Sequence, residues 1–277
     1  MKRSPSLLAG VILALAPVLA MTAHPARAQT LPAGDDRLIV SANGSTLTGG
    51  SGGGGGAVTW LHGFNANTFA GVGAEHQAIS DSHWTLGSVM GSVTFGASSG
   101  PRTTFSGEAH EGSGDIAGKN FDYSLVVLGA SQTLTKDLSV QLEDRQIDID
   151  TTHGNLPKVG LTYAWTRRFQ TSVAYADTVS GNLGTELFSA RVDYFGKRAG
   201  FLAGGATGRG APAVVNLQTG TIEQPALRLR EVFVGASKPI ARANLQLIVD
   251  YLDLAGNKRT TVTLTCTLPL RGRGTSK

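Results

Sequence analysis

The stretch Thr260-Thr-Val-Thr-Leu-Thr-Cys-Thr-Leu-Pro-Leu270 alternates without a fault. Val262, Leu264, Cys266, Leu268 and Leu270 fall on one face, and Thr261, Thr263, Thr265 and Thr267 on the other. Side chains on a strand alternate faces with period two, so this segment is a strand with one apolar and one polar surface. The segment before it repeats the pattern, with Leu245, Leu247, Val249 and Tyr251 against Asn244, Gln246 and Asp250. A Gly256-Asn257 turn between them is hairpin chemistry. About ten residues of this alternation is also the signature of a transmembrane β-strand, so the apolar face meets either a protein core or lipid.

The N-terminus bears on the compartment. Lys2 and Arg3 precede an apolar run from Leu7 to about Met21, and Ala26-Arg27-Ala28 is a small-x-small cleavage site. Residues 1–28 therefore read as a cleaved secretory signal peptide. Without Lys2, Arg3 and Arg27 the chain carries 21 basic residues against 20 acidic ones, which removes the electrostatic footprint of nucleic-acid binding. The single Cys, at position 266, forms no internal disulfide, and an exported chain without disulfides fits a Gram-negative envelope. Gly is about twice as frequent as usual and no helical period appears, so the mature chain reads as many strands and turns.

Alternation and turn residues place strands at 36–48, 57–65, 68–78, 82–97, 101–111, 120–135, 138–150 and 157–168. The series continues at 169–180, 185–196, 198–209, 226–238, 242–254 and 258–270. The connections sort into a short set and a longer or Gly-richer set, the latter including 49–56, 110–119, 151–156 and 210–225. Outer-membrane barrels have short periplasmic turns and longer outside loops. Trp165, Phe169, Tyr194, Phe195 and Phe201 crowd beside the short turns, where an interfacial aromatic girdle belongs. The expected architecture is all-β: an antiparallel up-and-down transmembrane β-barrel of about fourteen strands, twelve if the first pair is loop. It divides into a 29–56 segment with a first strand and a Gly-rich loop, the barrel over 57–270, and a 271–277 tail. Lumen-facing candidates are Arg191, Asp193, Arg228, Arg230 and Asp250, and charges of both signs there suggest a paired interior.

Motifs for chemistry are weak. Gly96-Ala-Ser-Ser-Gly100 matches a nucleophile elbow, but Pro101 and another strand follow where a helix is required. Gly52–Gly56 lacks the helix a phosphate cradle needs and reads as a flexible loop. His153 lies at a loop without a serine motif around it, and no histidine pair has metal-ligand spacing. Glu143, Asp144, Asp148 and Asp150 with Arg145 could hold a cation, although a solvated strand end is the simpler reading. Cys266 projects to the apolar face as an inert thiol. The sequence therefore indicates no cofactor, no metal and no catalysis.

Val159-Gly-Leu-Thr-Tyr-Ala-Trp-Thr-Arg167, Leu229-Arg-Glu-Val-Phe-Val-Gly235, Asp250-Tyr-Leu-Asp-Leu254 and Thr263–Leu270 resemble YaiO-type outer-membrane β-barrels over residues 156–270. The resemblance implies an outer-membrane location, lipid as surroundings, and an accessory or passage role in exopolysaccharide secretion with polysaccharide or secretion-system partners. It assigns no residue a role. The chain departs from the usual pattern in ending Arg271-Gly-Arg-Gly-Thr-Ser-Lys277 without a terminal aromatic, and in placing Cys266 where an aromatic is usual. The alternatives are a small-solute porin, a barrel lipase or deacylase using His153, and a soluble periplasmic sugar-binding β-sandwich.

Overall fold

A computed structural model describes residues 31–270 except 32, 49–51, 81, 97–99, 117, 151, 211–213, 217–220 and 224–226. The expected leader (1–28) and tail (271–277) lie outside the described residues, as does the centre of the Gly96–Gly100 motif. The strands are β1 (Asp36–Leu47), β2 (Gly52–Asn65), β3 (Thr68–Ile79), β4 (Ser82–Phe95), β5 (Thr103–Ile116) and β6 (Lys119–Thr133). Next come β7 (Leu138–Ile149), β8 (Thr152–Ala164), β9 (Phe169–Asp177), the two-residue β10 (Ser180–Gly181) and β11 (Glu186–Phe195). Then follow β12 (Gly200–Gly210), the short β13 (Val214–Asn216) and β14 (Thr221–Glu223), β15 (Leu227–Ile240), β16 (Ala243–Leu254) and β17 (Asn257–Leu270).

Fourteen long strands pair antiparallel in chain order, and β1 pairs with β17 from Asp36↔Leu270 to Leu47↔Arg259. The sheet is thereby a closed barrel, which excludes the β-sandwich. A closed sheet leaves no edge and satisfies its backbone in lipid. One joint is composite. β8 pairs with β9 only from Lys158 to Ala164, and β10 takes over at Asn155 and Gly154. Pro157, which lacks an N–H, stands where one ladder gives way to the other.

Alternation is maintained around the wall. Val72, Val89, Leu128, Leu142, Val234, Val249 and Leu264 are exposed on the outside, among thirty-two exposed large apolar side chains of the described residues. A soluble monomer does not expose a continuous surface of this kind. From Val262 to Leu270 the outward face of β17 spans about 26 Å at 3.3 Å per residue, enough for the apolar band of a transmembrane barrel. Phe64, Phe95, Phe105, Trp165, Phe169, Tyr194 and Phe201 border this band near the β2–β3, β4–β5, β8–β9 and β11–β12 turns. Trp165 packs edge-on against Tyr163 at 4.9 Å, and Tyr194 stacks on Phe201 at 6.3 Å. Phe195, expected in the same girdle, shares its parity with buried Asp193 and is only half-exposed.

All fourteen expected strands are present, but the sorting of loops by length is largely lost. Gly52–Gly56, His110–Ile116 and Thr152–Leu156, expected in connections, are strand. Four connections of the expected long set have only two residues: 80–81, 117–118, 150–151 and 255–256. The last is Ala255-Gly256, with φ of 51° and 95°, one residue before the expected Gly-Asn turn. Length survives as a signal in 178–185 and 211–226, which mark this end as the loop end. The glycines in these strands serve packing: a Cβ on Gly114 would lie 2.7 Å from the Phe121 ring, and one on Gly55 would lie 2.5 Å from Gln77 Cδ. Small inward positions make room for large neighbours on adjoining strands.

The unboiled protein from a membrane fraction is expected to migrate ahead of the boiled form on a gel. Val234→Arg, at mid-band opposite Val249, is expected to lower stability in lipid by about 2–4 kcal/mol in urea titration; an unchanged midpoint would place that face out of lipid.

Candidate functional site

The inward face of the barrel is layered. At the loop end, Trp84, Leu86, Ile116, Phe121, Leu125 and Ile149 form an apolar cluster with Leu183. Leu183 comes from the β9–β11 connection, which folds inward so that this side chain is fully buried against Gly154. The connection is fastened at its neck, where Thr178 Oγ1 donates to the Thr185 carbonyl at 3.0 Å and accepts from the Thr185 amide at 2.8 Å. On the opposite wall Leu187, Leu229, Leu252 and Leu254 make a second apolar cluster. At the short-turn end, inward hydroxyls pair across strands, Thr94 with Thr104 and Thr162 with Ser172, each at 2.9 Å.

Between these layers lie the charges. Buried Glu143 on β7 accepts from Arg145 two residues on, and Lys158, its register partner on β8, approaches it at 3.6 Å. His110 and Glu108 on β5 are 2.7 Å apart. Arg191 Nη2 on β11 donates to Asp193 Oδ1 at 2.6 Å, and Arg191 Nε reaches both carboxylate oxygens. Glu231, Asp250 and Arg259 are buried together: Glu231 and Arg259 both face Leu252 in register, and Asp250 is two residues along β16. Charge in a water-poor interior is stable only when compensated, so these cations and carboxylates are held as neighbours.

The expected lumen residues separate. Asp193 and Asp250 are buried and Arg191 is half-buried beside its carboxylate partner. Arg228 and Arg230 are on the other side of the wall, exposed, while Leu229 between them and Glu231 after them are buried. The reading of those two arginines as lumenal is corrected by parity: they share a face with Val232 and Val234, beyond the end of the lipid band. Glu231, Arg259 and Lys158 were not singled out from sequence, and Glu143 and Arg145 were read only as part of a candidate cation cluster, not as an inward pair. Their signal was present in the same alternation, since each interrupts an otherwise apolar or small inward row. The acidic run on β7 is divided likewise, with Glu143 and Arg145 inward and Asp144 and Asp148 outward, so it forms no common cation site. Among the described residues no group of three His, Cys, Asp or Glu is arranged to hold a metal ion. His153 is exposed on the outward face, and its backbone amide donates to Asn182 Oδ1 at 3.1 Å. Cys266 is half-buried on the outer face, in register with Val40 and Leu245.

A recess of about 100 Å³ runs along the inside of β8–β12 and opens to solvent. Its floor is made of small residues, Gly160, Ala174, Ser189 and Ala206, all in register across four strands and ending at Glu231 on β15. Lys158, Arg191, Asp193 and Glu231 stand at its borders. The recess thus combines a floor of small side chains with a charged margin.

No family model and no curated protein matches the chain. Solved structures do match in fold. A Pseudomonas aeruginosa FadL homologue aligns with TM-score 0.56 and 8% identity over 84% of this chain and 90% of its own. The CymD monoaromatic hydrocarbon channel aligns with TM-score 0.55 and 11% identity over 86% and 88%. The Ralstonia pickettii toluene transporter TbuX gives 0.53 and 8% over 86% and 90%. The fold is that of outer-membrane β-barrels.

Arg191→Ala leaves the Asp193 carboxylate, with a side chain only 3% exposed, without its closest cation. The expected loss is about 3 kcal/mol of stability. Arg191→Met/Asp193→Leu is expected to recover most of it in a double-mutant cycle read by urea unfolding in detergent.

Proposed function

We propose that this chain is a non-enzymatic outer-membrane channel that passes small, partly apolar solutes. The observation that carries the reading is the asymmetric lumen: the β8–β12 half is floored by small residues beside charged pairs, while the β3–β7 half is filled by large ones. A row of small side chains beside charged groups leaves room for a small solute that is part apolar and part polar. The fold neighbours with TM-scores above 0.5 include proteins described as a monoaromatic hydrocarbon channel and a toluene transporter, which supports small solutes as the cargo class.

The exopolysaccharide role rests on the strand texture of residues 156–270. A polysaccharide passage calls for a row of aromatic faces along which sugar rings stack. Here the buried inward aromatics Trp84, Phe121 and Tyr123 are packed in the apolar cluster, and the recess contributes only Phe233 to its inward face. The small-solute reading is therefore preferred.

The test is solute flux into liposomes carrying the purified chain, with single-channel recording in planar bilayers. Flux above the protein-free background is expected. Ala174→Trp and Ser189→Trp, which fill the recess floor, are expected to reduce it several-fold with heat-modifiability unchanged. Background-level flux for the wild type overturns the channel reading, and undiminished flux in both tryptophan variants moves the path elsewhere.

A further inference from the structure

We propose that one half of the short-turn rim is a docking surface for the headgroups of anionic phospholipids in the leaflet at that end. Four turns adjacent around the barrel form this half: residues 134–137, 165–168, 196–199 and 241–242. They carry Lys136, Arg167, Arg168, Lys197, Arg198 and Arg242, all exposed, against a single acid, Asp137, which lies 3.9 Å from Lys136. Exposed Lys238 adds to the set at the end of β15. The other half of the rim is different in kind. Its turns are 66–67 and 96–102, with Arg102 half-buried, and Asp36 there is paired with His62 at 2.8 Å.

Depth selects lipid as the occupant. The basic turns sit directly beneath the aromatic border of the apolar band. Trp165 is 61% exposed and adjoins Arg167 by two residues, while Phe201 is 57% exposed and follows Arg198 by three. Aromatic rings at a bilayer boundary mark headgroup level, and cations next to them stand among the phosphates. An acidic protein partner would account for the charges but would leave these rings outside its contact. Sign selects the phosphate: each Lys or Arg near an anionic membrane surface strengthens attraction about fivefold, with decay over a Debye length. The loop end is mixed in sign, with Glu111, Asp122, Asp148, Asp177 and Glu186 exposed alongside Lys119, Arg209, Arg228, Arg230 and Lys258, so the one-signed excess is a feature of the short-turn half-rim. The longest connection, 211–226, is at the opposite end, which assigns the basic rim to the periplasmic, phospholipid-bearing leaflet. The proposal rests on the chain lying in a bilayer and is independent of what the lumen carries.

The full chain is reconstituted into phosphatidylcholine nanodiscs containing a minority of phosphatidylglycerol, and the lipid retained after detergent extraction is measured by mass spectrometry. Wild type is expected to retain phosphatidylglycerol preferentially at low salt and to lose the preference in 1 M salt, where the screening length is about 3 Å. Arg167→Gln/Arg168→Gln/Lys197→Gln/Arg198→Gln is expected to lower the enrichment at least fivefold, with unchanged heat-modifiability and unchanged solute flux. Arg209→Gln/Arg228→Gln/Arg230→Gln, at the opposite end, is expected to keep it. Equal retention by the wild type and the rim variant overturns the proposal, as does loss confined to the loop-end variant. A parallel arm with lipid A overturns the assignment of the leaflet if lipid A displaces phosphatidylglycerol from the rim. If the neutral variant does not insert, Arg167→Lys/Arg168→Lys/Arg198→Lys preserves charge and is expected to keep the enrichment; its loss overturns an attraction based on charge.

Discussion

The pairing of β1 with β17 is the interaction on which the remainder depends. Without those twelve register pairs both strands would present unpaired amides and carbonyls to hydrocarbon, each costing several kcal/mol. With them the sheet has no edge, and each strand can devote one face to lipid and one to the interior. Closure also explains the treatment of the weakest joint. β9 ends at Asp177, too short to accompany β8 to the loop end, and after a brief interruption the chain resumes the ladder in the same direction at Ser180–Gly181. The cost of a short strand is offset locally, and the segment that follows carries Leu183 into the apolar cluster.

The interior follows from a conflict between size and polarity. A fourteen-stranded barrel is too wide to be filled as eight-stranded barrels are, so its inward face cannot be uniformly apolar. The chain resolves this by sector. On β3–β7 the large inward residues gather over glycines such as Gly112 and Gly114, and the polar groups among them, Glu143 and Arg145, are buried as a pair. On β8–β12 the inward residues are small and leave the recess, with the Arg191–Asp193 pair at its border. Glycine thus does two jobs: under Phe121 it admits a neighbour, and at Gly160 it leaves space.

Most of the wall was legible in the sequence because period two is a local property. Val262 to Leu270 requires no partner to declare its faces. What was missed required knowledge of the neighbouring strand. Gly52–Gly56 looks like a flexible loop in isolation, yet it is strand because β1 and β3 pair along it and Gln77 occupies the space above Gly55. Arg228 and Arg230 were assigned inward from their charge, although their parity with Val232 and Val234 already placed them outward. The loop-length argument failed for the same reason: Gly-rich text extended the apparent connections at 110–119 and 151–156, where the ladders continue to Ile116 and begin at Thr152. The recess was not legible, since a row of small residues across four strands emerges only after the registers are known.

The charge distribution then acquires a physical logic that neither the lumen nor the wall shows alone. Net charge is nearly balanced from residue 29 onward, so it offers no long-range preference for either face of a membrane. Balance at the level of the chain conceals an uneven distribution: oppositely charged neighbours buried inside, exposed charges of both signs on the loop-end wall and a basic half-rim at the short turns. The mid-depth pairs are compensated because burial leaves no alternative. The end groups face water and headgroups, where an excess of one sign is tolerated. The rim cations therefore say more about the membrane around the barrel than the buried pairs, whose positions folding dictates.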